Sequence, residues 1–264
     1  MKNNIYIKHN KELRSFGFHS HDFYEIYFFL GNSVTYYVES EIYTLKKGDV
    51  LIIPPGKIHS TVVSGENVYD RYILWLYNGF VASSEGISRY LSEITQLIGE
   101  KDTRCVSFDD VDFRKLQKLL DELRVAYKSE SKMARYDAES YITLVLREIF
   151  CRFENAEKRQ SEQDDLIRRV IAYINCNIAD APTLDTLASE FFVSKYYLLH
   201  KFKEYTKTTV HQYILMKKIN MAKELLEKGE SAKSVGEKCG FSVYSNFYKA
   251  FKNHTGVSPK EYGK

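Results

Sequence analysis

The chain carries an internal repeat over residues 182–262, which read PTLDTLASEFFVSKYYLLHKFKEYTKTTVHQYILMKKINMAKELLEKGESAKSVGEKCGFSVYSNFYKAFKNHTGVSPKEY. A shift of 48 to 49 residues brings Val193-Ser194 onto Phe241-Ser242, and Lys201-Phe202-Lys203 onto Ala250-Phe251-Lys252. Each copy has the pattern of a short amphipathic helix, a tight turn and a second helix that begins near a serine and ends in Phe-Lys. This pattern predicts a helix-turn-helix in each copy.

The residues at the turns and helix ends support this prediction. Ser194 and Ser242 are placed to cap the second helix of their copies, because a serine hydroxyl accepts hydrogen bonds from the free N–H groups at a helix start. Gly240 supplies the turn of the second copy. Between the copies, residues 210–228 carry apolar side chains at helical spacing, and Gly229 follows as a stop signal. The sequence therefore predicts one long helix that joins two helix-turn-helix pairs.

Residues 166–262 resemble the DNA-binding domain of the AraC/XylS transcriptional regulators over its full length. The most specific match is the terminal block, which contains Gly240-Phe241-Ser242, Asn246-Phe247, Phe251-Lys252, Thr255-Gly256-Val257-Ser258-Pro259 and Glu261-Tyr262. The resemblance implies a transcriptional regulator that binds double-stranded DNA and works with RNA polymerase. It also implies that the second helices of the two copies enter successive major-groove segments, roughly 34 Å apart.

The same resemblance implies which residues face the DNA. Carried over by position, the candidates in the first copy are Lys195, Tyr196, Leu199, His200 and Lys203, and those in the second copy are Tyr244, Ser245, Tyr248, Lys249 and Lys252. The sequence departs from the family because it has no arginine after Arg169, so bidentate arginine–guanine contacts are missing. We therefore expect a target rich in A·T pairs and an affinity that depends steeply on salt.

Length, composition and charge limit the classes of protein. A chain of 264 residues suggests two domains. No apolar run approaches the roughly 20 residues of a membrane span, and residues 1–9 lack the apolar core of a secretory signal, so we expect a soluble, cytoplasmic protein. The four cysteines are far apart and are expected to be small buried hydrophobic residues. From Phe192 onward, 14 lysines against 6 acidic residues favour a phosphate-facing surface.

The front half of the chain is rich in short strand patterns. These patterns cover residues 24–30, 34–38, 42–45, 49–53, 60–63 and 69–76, and turn signals such as Pro54-Pro55-Gly56 separate them. Many short strands at even spacing are typical of a small β-barrel or jelly roll. Residues 1–15 are predicted to form a flexible polar arm that precedes it.

Two pieces of this region resemble the two cupin motifs. The first contains Gly17, His19, His21, Glu25 and Gly31, and the second contains Gly48, Pro54, Gly56 and His59. The first motif is compressed, and the second lacks the asparagine with which it usually ends. His19, His21, Glu25 and His59 are the ligand types of a divalent iron, manganese or zinc ion. His19 and His21, two residues apart on a strand, are predicted to point to the same side.

Two interpretations of this set remain open. As a metal site, it would belong to a metal-dependent cupin enzyme, an oxygenase or isomerase, fused to a DNA-binding tail. As the polar mouth of a barrel without a cofactor or catalytic residues, it would bind a small effector, which the resemblance to AraC-type regulators favours. An aromatic and polar lining suits a sugar or related metabolite, and the candidate effector-binding residues are His21, Glu25, Tyr27, Tyr36, His59, Tyr72 and Trp75.

The pattern becomes helical from Ser88 onward. One apolar stripe, formed by Leu116, Leu119, Leu120, Leu123 and Tyr127, approaches a heptad seam. We expect residues 108–155 to form an antiparallel hairpin that pairs with a second copy in a homodimer. Residues 156–164 are a predicted linker, and residues 165–264 are the predicted DNA-binding domain. The predicted fold class is α+β, with a cupin-like β-barrel (jelly roll) over residues 1–107, the helical hairpin, and an all-α domain with two helix-turn-helix motifs.

Overall fold

The computed structural model describes residues 5–12, 16–31, 33–39, 41–63, 69–101, 103–131, 133–156, 165–180, 182–206 and 208–263. The chain divides into two compact units. The first comprises Met1–Gly17, His21–Val38 and Ile42–Ser161, and the second comprises Phe18–Ser20, Glu39–Glu41 and Glu162–Lys264. The predicted linker lies, from residue 157 onward, outside the described residues.

Two antiparallel sheets form the front of the chain. The strands are β1 (Ile5–Glu12), β2 (Phe16–His19), β3 (Phe23–Phe29), β4 (Val34–Val38), β5 (Glu41–Leu45), β6 (Asp49–Ile53), β7 (His59–Val62), β8 (Tyr69–Tyr77) and β9 (Cys105–Ser107). One sheet has the order β1-β8-β3-β6-β9 and the other the order β2-β7-β4-β5. The predicted double-sheet architecture is confirmed.

Alternate side chains of strand β8 belong to two different hydrophobic clusters. Side chains of successive residues point to opposite faces of a sheet. Leu74 and Leu76 therefore pack toward the helices of the first unit, in one hydrophobic cluster. Tyr69 and Ile73 belong to a second cluster, between the two sheets.

The predicted N-terminal arm is instead a strand where the structure describes it. β1 pairs with β8 in antiparallel register, from Ile5 opposite Leu76 to Glu12 opposite Tyr69. Ile5 and Ile7 are buried. Alternate apolar residues at the start of the chain can be buried against a neighbouring strand, and this contribution outweighs the polar residues between them. The prediction of a flexible arm is therefore wrong for residues 5–12.

Helices cover one face of the five-stranded sheet. They are α1 (Asn78–Ser83), α2 (Glu85–Lys101), α3 (Asp110–Lys128) and α4 (Ala134–Glu154), and α4 packs against both α2 and α3. The predicted heptad stripe lies on α3, where Leu116, Leu120 and Leu123 are fully buried in the core that the helices share with the sheet. This stripe is thus not an exposed seam for a partner, since the sheet of the same chain already covers it.

The second unit is helical. Its elements are α5 (Asp165–Cys176), α6 (Leu184–Glu190), α7 (Lys195–Thr206), α8 (Val210–Glu227), α9 (Ala232–Lys238), α10 (Tyr244–Thr255) and α11 (Pro259–Tyr262). Helices α6 and α7 form the first predicted helix-turn-helix, and α9 and α10 form the second. The long helix α8 joins the two pairs, as the sequence predicts. Among the described residues, every helix is too short or too polar to cross a membrane.

The sequence repeat produces an equivalent aromatic contact in each copy. Phe202 of α7 meets Tyr213 edge to face, with ring centroids 5.7 Å apart. Phe251 of α10 meets Tyr262 in the same way at 5.4 Å. These pairs occupy equivalent places in the two copies, so the same aromatic pair fixes the second helix of each copy.

The turns of the two copies differ in their chemistry. Gly240 has a φ of +69°, and a Cβ atom there would lie 2.0 Å from the carbonyl oxygen of Ala179. In the first copy, Phe192 adopts a φ of +54° and is 95 % exposed. Ser194 caps α7 as predicted, since its hydroxyl accepts from the N–H of Tyr197 at 3.1 Å. The same prediction for Ser242 is wrong, because the residue at the start of α10 is Val243, whose side chain cannot accept a hydrogen bond.

Candidate nucleic-acid interface and effector site

The exposed face of α7 carries the residues predicted to contact DNA. Lys195, Tyr196, Leu199, His200 and Lys203 are all exposed, and Tyr196 most clearly so at 74 %. On the opposite face of α7, Leu198 and Phe202 are buried in the core of the second unit. An exposed phenol of this size in a folded chain is available for contact with a partner.

Helix α10 has the same division of faces. Tyr244, Ser245, Tyr248, Lys249 and Lys252 are exposed. Phe247 and Phe251 are fully buried, in a cluster that also contains Ile219, Ala222 and Leu226 of α8. Phe247 and Phe251 are four residues apart and therefore lie on one face of the helix. Their burial orients α10.

The two second helices border one common cavity. Leu199 of α7 and Asn246 of α10 both line a space of about 650 Å³, together with Val210 and Ile214 of α8. Both helices therefore lie along the same side of α8. This is the arrangement that allows two helices to face one ligand surface.

Two of the side chains predicted to contact DNA already have partners within the first copy. The Nδ1 atom of His200 lies 2.9 Å from the carbonyl oxygen of Tyr196, which can only accept, so Nδ1 carries the hydrogen. Nε2 is then the ring nitrogen that this contact does not use. Lys195 forms an ion pair with Asp185 of α6, so part of its positive charge is already compensated.

Between the sheets, a buried carboxylate joins three of the predicted effector residues. Glu25 of β3 lies with one carboxylate oxygen 2.9 Å from Nε2 of His21 and 3.2 Å from Nε2 of His59. Its other oxygen accepts from the indole N–H of Trp75 at 2.6 Å. The structure thus brings together His21, Glu25, His59 and Trp75.

The environment of Glu25 keeps it ionised. Burial alone would raise the pKa of this carboxyl, but the hydrogen bonds from His21 and His59 and the charge of these rings outweigh burial and hold the pKa well below its usual range. A negative charge is therefore fixed between two imidazole rings.

The two rings are oriented by main-chain carbonyls. Nδ1 of His21 lies 2.9 Å from the oxygen of Phe23, and Nδ1 of His59 lies 2.9 Å from the oxygen of Lys57. Each Nδ1 therefore carries hydrogen, and each Nε2 faces the Glu25 carboxylate. A cation between these atoms would make this contact favourable. Imidazole and carboxylate groups are ligands that suit a divalent metal ion. Main-chain carbonyls that contact the Nδ1 atoms would orient the rings for this role.

Aromatic residues continue this polar group into the space between the sheets. The rings of Tyr27 and Tyr36 are 4.9 Å apart. Burial first, and then the neighbouring Glu25, raise the pKa of Tyr36, so the hydroxyl stays a hydrogen-bond donor. The hydroxyl of Tyr36 also bonds to that of Tyr69.

Arg71 is a site residue that sequence reasoning missed. It is 2 % exposed, its guanidinium lies 3.4 Å from the centre of the Tyr69 ring, and one N–H donates to the carbonyl oxygen of Tyr69. Its position could have been found from the alternation of β8, because Tyr69, Arg71, Ile73 and Trp75 have the same parity. An arginine in a strand pattern is instead ordinarily assigned to the solvent face.

One of the predicted residues, Tyr72, is not part of this group. Tyr72 lies on the opposite face of the sheet, where its hydroxyl donates to Asp121 of α3 at 2.9 Å. Burial, and then Asp121, raise the pKa of Tyr72 to about 12. Tyr72 is therefore removed from the candidate effector residues. His19 is exposed at the end of β2. One of its ring nitrogens, a carboxylate oxygen of Glu25 and a ring nitrogen of His59 all lie within 4.8 Å of one another, so His19 stays among the candidate metal ligands.

Two family models match the chain. The model described as the AraC-like ligand binding domain matches residues 5–146. The model described as a helix-turn-helix domain matches residues 187–264. The matches fall on the sheets with their helices and on the two helix-turn-helix pairs, respectively.

Proteins that are similar in sequence are described as transcriptional regulators. The HTH-type transcriptional regulator YdiP of Escherichia coli (strain K12) is 24% identical over 85% of this chain and 73% of its own length. The Xylose operon regulatory protein of Haemophilus influenzae is 26% identical over 68% of this chain, and the match spans only 42% of that longer protein. Among solved structures, ToxT from Vibrio cholerae matches over 98% of both chains at 14% identity, with a TM-score of 0.40.

Proposed function

Since the chain belongs to the AraC family of DNA-binding transcriptional regulators, we propose that α7 and α10 each read one of two successive major-groove segments of its target. Base contacts come from Tyr196, Leu199 and His200 on α7 and from Tyr244, Ser245 and Tyr248 on α10. Phosphate contacts come from the lysines of both helices. Bound at a promoter, the protein acts on transcription through RNA polymerase.

Like its relatives, the protein is a transcriptional regulator and not an enzyme. The interpretation of the front half as an oxygenase or isomerase is therefore abandoned. The polar group around Glu25 is better regarded as a binding site than as a catalytic one.

The observation that supports the reading of two segments is the cavity that Leu199 and Asn246 share. Helices on one side of α8 can follow one face of a duplex, whereas helices on opposite sides could not. The exposed faces carry tyrosine, serine, histidine and lysine but no arginine. Tyrosine and serine hydroxyls and the leucine side chain suit adenine edges and thymine methyls, which favours a target rich in A·T pairs.

Selection of bound sequences from random oligonucleotides tests this proposal. We expect a bipartite, A·T-rich consensus. Tyr196→Ala should relax the preference in one half of that consensus, and Tyr244→Ala in the other half. A G·C-rich consensus, or a loss in the same half for both variants, would contradict the assignment. Tyr141→Ala, a change in the first unit, is the matched control.

We also propose that a small effector, a sugar or related metabolite, binds between the sheets. The polar group of Glu25, His21 and His59 supplies directional hydrogen bonds, and Tyr27 and Tyr36 supply flat apolar faces. A regulator of xylose metabolism among the relatives is consistent with this ligand class. An effector that enters must separate the Tyr27–Tyr36 pair, so it binds one conformation of the unit better than another and shifts the population.

A panel of sugars and sugar acids tests the effector proposal. The expected result is one compound that raises the melting temperature of the full chain and changes its affinity for the selected DNA. Tyr36→Phe removes a hydroxyl without changing the ring and should weaken that compound. Tyr37→Phe, on the other face of the same strand, should not. If both variants respond equally, the ligand binds elsewhere.

The ring orientation supports a second proposal for the same cluster, that of a resident divalent metal. His19, Glu25 and His59, whose ligand atoms lie within 4.8 Å of one another, would hold the ion together with His21, which contacts Glu25. The ion would supply a positive charge that polarises a bound oxygen atom. The chain itself fixes the imidazoles through Phe23 and Lys57.

Metal analysis of the purified protein tests this second proposal. One equivalent of iron, manganese or zinc is expected, and His59→Ala should lose it. His9→Ala, which removes a histidine paired with Asp70 elsewhere on the first sheet, should retain it. Protein that stays free of metal after exposure to all three ions would contradict this second proposal.

We propose finally that the protein is a homodimer, although the predicted seam is buried. Val125 of α3, and Tyr136 and Leu144 of α4, are exposed apolar residues on the helical side of the first unit, and they supply the surface for a second copy. Light scattering after size exclusion should give twice the mass of one chain. Tyr136→Glu with Leu144→Glu should give a monomer. A monomeric wild-type protein at micromolar concentration would remove this proposal.

A further inference from the structure

The cavity between the two helix-turn-helix pairs has the size and lining of a small-molecule site. Its volume of about 650 Å³ lies within the range of roughly 300–1,000 Å³ that is typical of ligand pockets. Carbon surface dominates the lining, with contributions from Leu184, Val210, Ile214, Leu215 and Phe241. Nothing in the reading of DNA by α7 and α10 requires an apolar cavity between them.

A buried cation lies in this apolar lining. Lys218 of α8 is 6 % exposed. Its ammonium donates to the carbonyl oxygen of Gly240 at 2.7 Å and lies 5.0 Å from the centre of the Phe241 ring. An ammonium has three hydrogens, so the bond to Gly240 leaves it able to donate to a further acceptor.

The charge of Lys218 is costly where it lies. Burial lowers the pKa of Lys218, which is the direction expected when water is removed from around an ammonium group. An anion in the cavity would compensate that cost. A carboxylate suits a single ammonium better than a dianionic phosphate, because the remaining lining is mainly apolar.

We propose that this cavity binds a small amphipathic monoanion, with an apolar body against Ile214, Leu215 and Phe241 and one carboxylate at the ammonium of Lys218. This site is separate from the cluster around Glu25. It gives the DNA-binding unit a ligand of its own.

Occupancy of the cavity opposes DNA binding. Leu199 of α7 and Asn246 of α10 border the cavity, and Leu199 is among the residues proposed to reach base edges. A ligand between the two helices contacts the surface that the duplex needs. Since coupling between two ligands is reciprocal, DNA must weaken the monoanion as much as the monoanion weakens DNA.

A matched pair of probes tests the proposal on the full-length protein. The anionic probe is 4-phenylbutyrate, and 4-phenyl-1-butanol is the neutral control of the same length. Binding is measured by calorimetry, and DNA affinity is measured by fluorescence anisotropy with the selected site. At a probe concentration ten times its own Kd, competition should raise the apparent Kd for DNA about tenfold. The alcohol should have a much smaller effect.

Variants separate this site from the one between the sheets. Ala250→Phe fills the cavity from α10, and Lys218→Met removes the charge. Both should abolish the effect of 4-phenylbutyrate, each compared with its own DNA affinity in the absence of probe. Lys223→Met, on the same helix but outside the lining, should behave like wild type. Ala250→Phe keeps the Lys218–Gly240 contact, so it decides the matter if Lys218→Met is poorly folded.

Three results overturn the proposal. The first is equal binding of the acid and the alcohol, the second is an unchanged DNA affinity under saturating acid, and the third is an undiminished effect in Ala250→Phe. None of them bears on the reading of two major-groove segments, because DNA binding without probe is measured separately in every variant.

Discussion

At the scale of single residues, Glu25 shows how hydrogen bonds can outweigh burial. Its pKa lies below the usual value of 4.5, because two imidazoles bond to the ionised form. A carboxyl whose pKa is lowered by folding stabilises the fold above its unfolded pKa. That stabilisation is lost as the pH falls from about 4.5 toward the folded-state pKa. The first unit should therefore become less stable in this acid range.

Glu25→Gln tests this account of the cluster. Removing one partner of a buried charged group leaves the others uncompensated, so we expect a loss of about 3 kcal/mol in the free energy of unfolding at neutral pH. Below pH 4.5 the difference from wild type should shrink. Urea titrations followed by the fluorescence of Trp75, the sole tryptophan of the chain, measure both effects. The control, Glu148→Gln, changes an exposed carboxylate and should shift stability by less than about 0.5 kcal/mol. Equal effects of the two changes would contradict the account.

The turn residues of the two copies allow a second test at this scale. Phe192 holds a positive φ without burying its ring, so Phe192→Gly removes strain and loses no packing. Allowing for the greater flexibility of glycine in the unfolded chain, we expect a gain of about 0.5–1 kcal/mol.

The reverse change in the other copy is its control. Gly240→Ala places a Cβ against the carbonyl oxygen of Ala179 at a positive φ, and should cost about 2 kcal/mol or more. Thermal unfolding by circular dichroism measures both variants. If Phe192→Gly destabilised the protein, the exposed ring would have a role that the described contacts do not show.

At the scale of elements, the lysines of the second helices should act on affinity and not on sequence choice. Lys203 of α7 and Lys252 of α10 are exposed at equivalent places of the repeat. Lys203→Ala and Lys252→Ala should each reduce the slope of log K against log salt concentration by about one. The loss should be the same for specific and random DNA. Lys118→Ala, an exposed lysine on α3, should change neither.

Helix and strand patterns carried most of the prediction at this scale, and the failures have physical causes. The strand predicted from the period of two in residues 69–76 and the helix predicted from the helical period in residues 210–228 are both confirmed. Each pattern alone specifies the type of element. The strand of residues 5–12 was missed because its two isoleucines, which lie among polar residues, are buried only beside β8, where Ile5 pairs with Leu76 and Ile7 with Leu74, far along the chain. The cap of α10 was misplaced by one residue, where Val243 starts the helix without a side-chain hydrogen bond.

The candidate site divides in the same way. The candidate residues on α7 and α10 came from the family resemblance, and they lie on the exposed faces, opposite the buried Phe202, Phe247 and Phe251. Tyr72 and Trp75 have opposite parity on β8, so alternation alone shows that they cannot both face the same site, but the sequence does not say which of the two faces it. A shift of one residue exchanges the two faces of a strand, and the tyrosine-rich sequence gives both faces similar side chains.

At the scale of the whole molecule, each unit has its own core and its own polar centre. The first unit holds the buried cluster of Glu25, and the second holds the two reading helices and the cavity of Lys218. Glu25 and Phe192 have no partner in common among the described contacts, so the effect of a change at one should add to the effect of a change at the other within about 0.5 kcal/mol. Glu25→Gln combined with Phe192→Gly is a direct test of this independence. A deviation of more than about 1 kcal/mol from the sum would show coupling.

The central claim is that two helices on one side of α8 enter two successive major-groove segments of the same duplex. Hydroxyl-radical footprinting of the selected site, with and without an insertion of half a helical turn, about five base pairs, tests it most directly. The account predicts two protected segments about one helical turn apart and a large loss of affinity when the insertion moves one segment to the far side of the duplex. A single protected segment, or full affinity for the site with the insertion, would contradict it.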